Sequence, residues 1–244
     1  MSMGAGSPGP MGPMKRFYRE AVAVADGAGC RIELDRRPLH TPGRALLLLP
    51  SRRLAEAIAE EWAAQDKVIA PQSMPLMALA CTATDLVAPR RAETVGELAA
   101  YGESDLICYR AEQPEALVRR QAELWQPLLD WAALAFDAPL LVTSGIVPRD
   151  QPPQALAALH RAVEAHDDLA LAALAAAVRA AGSLVIGLAL SHGRLDAAAA
   201  FADAELDASY QMEIWGEDHE ALQRRALVKA ELQAAERFLA LLRG

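Results

Sequence analysis

At 244 residues with 53% hydrophobic side chains, the chain can bury a sizeable core in one large domain or two ordinary ones. Much of that apolar content is alanine, which buries little area and favours helix, so a helix-dominated protein is expected. A net charge of −8 argues against nucleic acid as a partner, and the apolar run 184–190 is far shorter than the roughly 20 residues that cross a bilayer.

Residues 1–14 are largely Gly, Pro, Ser and Met, with neither the charged-then-apolar order of a signal peptide nor the features of a transit peptide. They are expected to form a disordered leader. Over 17–24 and 30–35 polar and apolar residues tend to alternate around Asp26-Gly27-Ala28-Gly29, a hairpin signal. The apolar run 45–49, closed by Pro50, predicts a short buried strand of the same antiparallel sheet. Ser51 can cap a helix in which Leu54, Ile58 and Trp62 recur at every fourth position opposite Glu56 and Glu60.

Pro71 and Pro75 then mark a linker, after which strand signals stop, and a domain boundary is placed near residue 78. Helices are predicted at about 76–87, 92–101, 114–136, 153–165, 168–181, 183–191, 196–215 and 218–242. In the last of these Val228, Leu232, Ala235, Leu239 and Leu242 form one apolar stripe. Pro127 is expected to kink or divide its helix. The fold class is therefore α+β: a leader (1–14), a small antiparallel-sheet domain (15–78) and a larger all-helical domain (79–244).

Chemistry-bearing motifs are scarce. The GxGxxG match at Gly4, Gly6 and Gly9 contains Pro8 and lacks a flanking strand and helix, and GxxxxGK[ST] is absent, so no nucleotide cofactor is expected. The five histidines include no HExxH and no short-spaced pair near a cysteine, so no metal is expected. Cys30, Cys81 and Cys108 are odd in number and widely spaced, which suits a reducing compartment, and Cys81 reads as an inert thiol. No catalytic residue is assigned.

The acidic, aromatic stretch 206–218 stands apart. Leu206, Tyr210 and Ile214 make an apolar stripe, Gly216 ends the helix after Trp215, and Glu217-Asp218 suit the start of the next helix. It reads either as a capped helix junction or as a partner site, since tryptophan and tyrosine are favoured interface anchors.

Taken in order, Lys15-Arg16-Phe17-Tyr18, Leu34-Asp35, Arg37-Pro38, Thr41-Pro42, Glu61-Trp62 with Gln65, and Met74-Pro75-Leu76 resemble a known pattern. It continues through Tyr101, Asp105-Leu106, Tyr109-Arg110-Ala111, Trp125, Pro127-Leu128, Trp131, Gln211, Trp215-Gly216 and Asp218. The chain is similar in these positions to the ATP-twelve family, assembly chaperones that hold the unassembled alpha subunit of the ATP synthase catalytic head. The resemblance implies a two-domain, ATP-independent, non-enzymatic chaperone that binds the alpha subunit as a monomer and promotes its assembly with beta subunits. It also implies a client-contact role for Asp207, Gln211, Glu213, Trp215 and Asp218; Trp62 matches a family position too, but its place on the apolar stripe of its helix points to a structural role rather than partner contact. Lacking a transit peptide, the chain reads as a cytoplasmic bacterial relative of proteins that in eukaryotes occupy the mitochondrial matrix. The competing readings are a hydrolase with its site in the interdomain cleft and a general helical scaffold.

Overall fold

The computed structural model describes residues 14–27, 29–145, 149–216 and 218–243, so the expected leader, apart from Met14, lies outside the described residues. Strands β1 (Ala21–Asp26) and β2 (Gly29–Leu34) form the anticipated antiparallel hairpin, in register from Ala21 opposite Leu34 to Asp26 opposite Gly29. Along β2 the residues Cys30, Ile32 and Leu34 are buried and alternate with half-exposed Arg31 and Glu33, the two-residue period of a sheet with one face on the core. Two short strands, β3 (Arg37–Pro38) and β4 (Leu48–Leu49), pair antiparallel with β2 on the side away from β1. The run 45–49 is only half buried: Leu47 and Leu49 face the core, whereas Leu46 and Leu48 are exposed.

Helix α1 (Arg52–Ala63) starts at Ser51, whose hydroxyl accepts from the Leu54 N–H at 3.3 Å. Leu54, Ile58 and Trp62 are buried as their spacing predicts. Glu61 is buried as well, and its carboxylate accepts the backbone N–H groups of Leu76 and Met77, each at 2.9 Å. These are the first residues of helix α2 (Pro75–Thr82), whose own cap residue, Met74, offers no side-chain acceptor. One helix therefore supplies the N-terminal cap of the next. Residue 78 lies inside α2, and one apolar cluster runs from Ile32 and Leu54 through Leu76 and Ala80 to Leu232 and Phe238.

The remaining helices are α3 (Arg91–Ala99), α4 (Glu115–Phe136), α5 (Pro153–Glu164), α6 (Asp168–Ala181), α7 (Leu184–Ser191), α8 (Ala197–Ala204), α9 (Leu206–Trp215) and α10 (His219–Leu242). A small antiparallel sheet followed by a mostly helical remainder is thus the architecture, as the sequence predicts. All eight residues of α7 are buried, which places it at the centre. Val228, Leu232, Ala235, Phe238 and Leu239 seat the second half of α10 in the core.

Three local expectations are corrected. Pro127 does not divide α4, because it is exposed and so is Glu123, whose carbonyl loses its N–H partner where water can replace it. The span 196–215 is two helices, broken at Glu205, whose buried carboxylate is gripped by Arg224 at 2.8 Å and Arg225 at 2.9 Å. The helical part also contains a two-residue parallel ladder, β5 (Tyr109–Arg110) with β6 (Thr143–Ser144).

Asp105 ties these elements together. Fully buried, it accepts from the Ser183 hydroxyl at 2.6 Å, the Val185 N–H at 3.0 Å and the Ile107 N–H at 3.3 Å, so it caps α7 from 80 residues away. Asp105→Ala is expected to leave several buried donors unpaired and cost about 3 kcal/mol or more, read as a lowered urea midpoint. Ser183→Ala, which leaves the carboxylate with its backbone donors, is expected to cost less.

Candidate partner-binding surface

From Asp207 to Leu227 none of the described residues is buried, although both flanking positions, Leu206 and Val228, are. Helix α9, the junction at Gly216 and the first turns of α10 thus form a helical hairpin at the surface, half-buried along α9 and exposed around the junction. Gly216 makes the turn with φ of 89°, a conformation open chiefly to glycine. Near the tip Trp215 is 85% exposed and Ile214 54% exposed, and Leu227 on α10 is 67% exposed. The expected apolar stripe therefore divides: Leu206 faces the core, Tyr210 is half-buried and Ile214 faces solvent.

Side-chain contacts brace this hairpin. Arg120 of α4 donates to Glu213 at 2.8 Å and lies over the Tyr210 ring at 5.3 Å. Gln121 donates to Asp207 at 2.8 Å while its carbonyl oxygen accepts the Ala111 N–H at 2.8 Å. Between the two arms Arg225 donates to Ser209 at 2.9 Å and to Glu205, and its guanidinium lies 5.1 Å from the Phe201 ring centroid.

The five residues singled out in the sequence do come to one hairpin, in different roles. Asp207 is half-buried and holds Gln121. Glu213 pairs with Arg120, whose hydrogen bond keeps the Glu213 carboxyl below the usual carboxylate range. Asp218 caps α10, accepting the Ala221 N–H at 3.2 Å. Gln211 and Trp215 point their exposed side chains outward. Leu227 was missed although it carries a signal: it is a large apolar residue off the Val228-Leu232-Ala235-Leu239 stripe. Trp62 is in the core, its carbonyl accepting from the Tyr18 hydroxyl at 2.7 Å.

Elsewhere the ionisable groups do structural work. Burial pushes the Cys81 thiol up to about 11 and the Cys108 thiol up to about 12, which keeps both protonated and unreactive. Asp167 caps α6 through the Ala170 N–H at 2.8 Å. A groove of about 530 Å³ between α3 and α5 is lined largely by apolar residues such as Ala99, Ala100 and Leu156, with Glu103, His160 and Arg161 at its edge. Among the described residues no group of three His, Cys, Asp or Glu could hold a metal ion, and no helix is long and apolar enough to cross a membrane.

Comparison with known proteins agrees across sequence and structure. The sequence pattern of the ATP12 chaperone protein family matches residues 15–133. The crystal structure of Atp12 from Paracoccus denitrificans superposes with a TM-score of 0.90 at 44% identity, covering 94% of this chain and 98% of that one. The Atu1473 protein of Agrobacterium tumefaciens superposes with a TM-score of 0.89 at 40% identity, covering 93% and 86%. The mitochondrial protein atp12 of Schizosaccharomyces pombe is 24% identical over 224 residues, 87% of this chain and 77% of that protein.

At the foot of the hairpin, Trp125 donates its indole N–H to the Asp203 carbonyl at 3.0 Å, and burial pushes the Asp203 carboxyl up to about 6. An unfolded aspartate titrates near ~3.9, so the native state binds this proton more tightly. Stability contributed by the site accordingly falls as pH rises between those values and stays low above about pH 6. Asp203→Asn is expected to raise the melting temperature at neutral pH by about 3 °C or more and to have little effect near about pH 4. An equal shift at both pH values would count against this assignment.

Proposed function

This chain belongs to the ATP12 chaperone family, and on that premise we propose that it is an ATP-independent assembly chaperone for the ATP synthase, holding the unassembled alpha subunit until beta subunits replace it. A free subunit exposes apolar surface that its native neighbours will later cover, and such a patch drives aggregation. A protein that covers the patch lowers the concentration of the sticky species and then yields to the tighter partner. No covalent step is needed.

The observation that carries the reading is the hairpin from Asp207 to Leu227, in which none of the described residues is buried and Trp215 is held almost fully in solvent. Exposing a tryptophan this completely wastes one of the largest apolar side chains unless another molecule covers it, and tryptophan is a favoured anchor of protein interfaces. Ile214 extends the apolar surface, while Gln211 and Glu213 supply a polar margin. We assign the client contact to this tip, with Trp215 as its anchor.

Trp215→Ala is a clean test, because removing a side chain that touches little of the core leaves the fold intact. The expected result is an unchanged melting temperature and at least about a tenfold loss of affinity for the alpha subunit, measured by pull-down or by suppression of alpha-subunit aggregation without ATP. Glu213→Lys sets a second cation beside Arg120 and is expected to weaken binding with the helices retained. Asp218→Ser, which keeps a capping oxygen, separates charge from capping where Asp218→Lys would confuse them. Full client binding by Trp215→Ala and Glu213→Lys together would remove the hairpin from the interface.

A further inference from the structure

Between Lys15 and Pro50 the chain carries seven arginine and lysine residues against four carboxylates, opposite in sign to its net charge of −8. Arg31 lies between Asp26 and Glu33, at 3.0 and 2.8 Å, and neutralises both. Glu20 and Asp35 are the remaining acids, and the Asp35 carboxylate is turned onto backbone, accepting the N–H groups of Arg19 at 3.0 Å and Glu20 at 2.9 Å. Arg16 donates to the carbonyls of Tyr18, Arg19 and Gln65. Among the described residues Arg19, Arg36 and Arg37 form no ion pair, and all three are exposed.

Arg37 lines a cleft of about 480 Å³ beside the small sheet, and Arg36 and Arg19 are chain neighbours of its lining residues Arg37 and Tyr18. Tyr18, Leu34 and Leu39 form its buried floor, and Phe17, 65% exposed, and Pro38 stand beside them with Arg37. Asp35 and His40 complete the lining: backbone hydrogen bonds, with smaller contributions from nearby Arg19 and Arg37, hold the Asp35 carboxyl below its usual range, and His40 hydrogen-bonds the Pro38 carbonyl through Nδ1 at 3.1 Å. The arginines are presented by a two-residue hairpin turn. Asp35 and Arg36 connect Leu34 of β2 to its partner Arg37 of β3, and their φ of 49° and 65° are the left-handed pair that such a turn requires. The Asp35 bonds to Arg19 and Glu20 pin this turn to the chain entering β1 and hold Arg36 and Arg37 at the rim.

We propose that the cleft is a second protein-binding site, which takes an extended acidic segment of a partner chain. A large apolar side chain of that segment seats against Phe17, Tyr18 and Leu39, and its carboxylates meet Arg19, Arg36 and Arg37. Charge selects the occupant: the rim is cationic on a molecule that is otherwise anionic, so it attracts acidic segments and repels basic ones. None of the cleft residues belongs to the hairpin around Trp215, so the site stands or falls separately from the client contact assigned there.

The test uses the full chain and a fluorescein-labelled peptide of about ten residues alternating glutamate with phenylalanine, read by fluorescence anisotropy, with a lysine-phenylalanine peptide as control. The glutamate peptide is expected to bind, to weaken as salt is raised through physiological strength, and to lose about tenfold or more in affinity with Arg37→Glu or Arg36→Glu. Phe17→Ala is expected to weaken it too, with melting temperatures unchanged. Arg119→Glu, a charge reversal on α4 outside the cleft, and Trp215→Ala are expected to leave it as in the parent chain. Absence of binding, equal binding of the lysine peptide, or the same affinity in Arg37→Glu and Arg119→Glu would overturn the proposal. So would a loss in Trp215→Ala, since the peptide would then be sitting on the hairpin.

Discussion

The backbone N–H groups in the first turn of a helix have no partner within that helix, and when the turn is buried water cannot serve them. In this fold carboxylates from other parts of the chain do so. Glu61 of α1 receives the start of α2, Asp105 receives the start of α7, and Glu236 of α10 accepts the Ala197 N–H that opens α8 at 3.1 Å. Each cap stabilises a helix only when a second, distant element is already in place. The helices are thereby fixed in position and order by polar contacts, which suits a chain whose alanine-rich surfaces give little shape by which one packing could be told from another. The cost is visible in the raised pKa of Glu61 and Asp105, where burial outweighs the hydrogen bonds that favour the charged form.

That constraint also separates what the sequence makes legible from what it hides. Helices with a local cap or a regular apolar stripe are read nearly to the residue: Ser51 and Leu54-Ile58-Trp62 define α1, and Asp167 and Gly182 bracket α6. The hairpin β1–β2 is legible from alternation and its Gly-rich turn. The break at Glu205 is not, because nothing local ends the helix; two arginines about 20 residues on pull its carboxylate inward. The pairing of Tyr109–Arg110 with Thr143–Ser144 escapes for a different reason, since two residues are too few to show a period. Pro127 misleads because the harm it does depends on whether the freed carbonyl reaches water, which is a matter of tertiary placement.

The proposed partner surface shows the same division at finer scale. Sequence reasoning gathers Asp207, Gln211, Glu213, Trp215 and Asp218 onto one segment, and the fold brings them to one hairpin. It cannot tell which side chains look outward, because helical periodicity gives a face without saying whether that face meets the core, a brace or solvent. Arg120 and Gln121 decide this by engaging Glu213 and Asp207, and they sit more than 80 residues away in the chain. Leu227 carries its own evidence, an apolar residue outside the stripe, yet one exposed leucine is ordinary until the fold shows it on the same hairpin as Trp215.

The surface hairpin bears on how such a protein lets go. Opening the segment between Leu206 and Val228 breaks helical hydrogen bonds and the contacts of Asp207 with buried Gln121 and of Arg224 and Arg225 with buried Glu205, but no apolar core residue lies within it, so its amides should exchange with solvent at a free energy below that of global unfolding. A proposed contact surface built on exposed helix can fray while the core stays closed. On the proposed function, release then needs no nucleotide, because the proposed contact can loosen by itself.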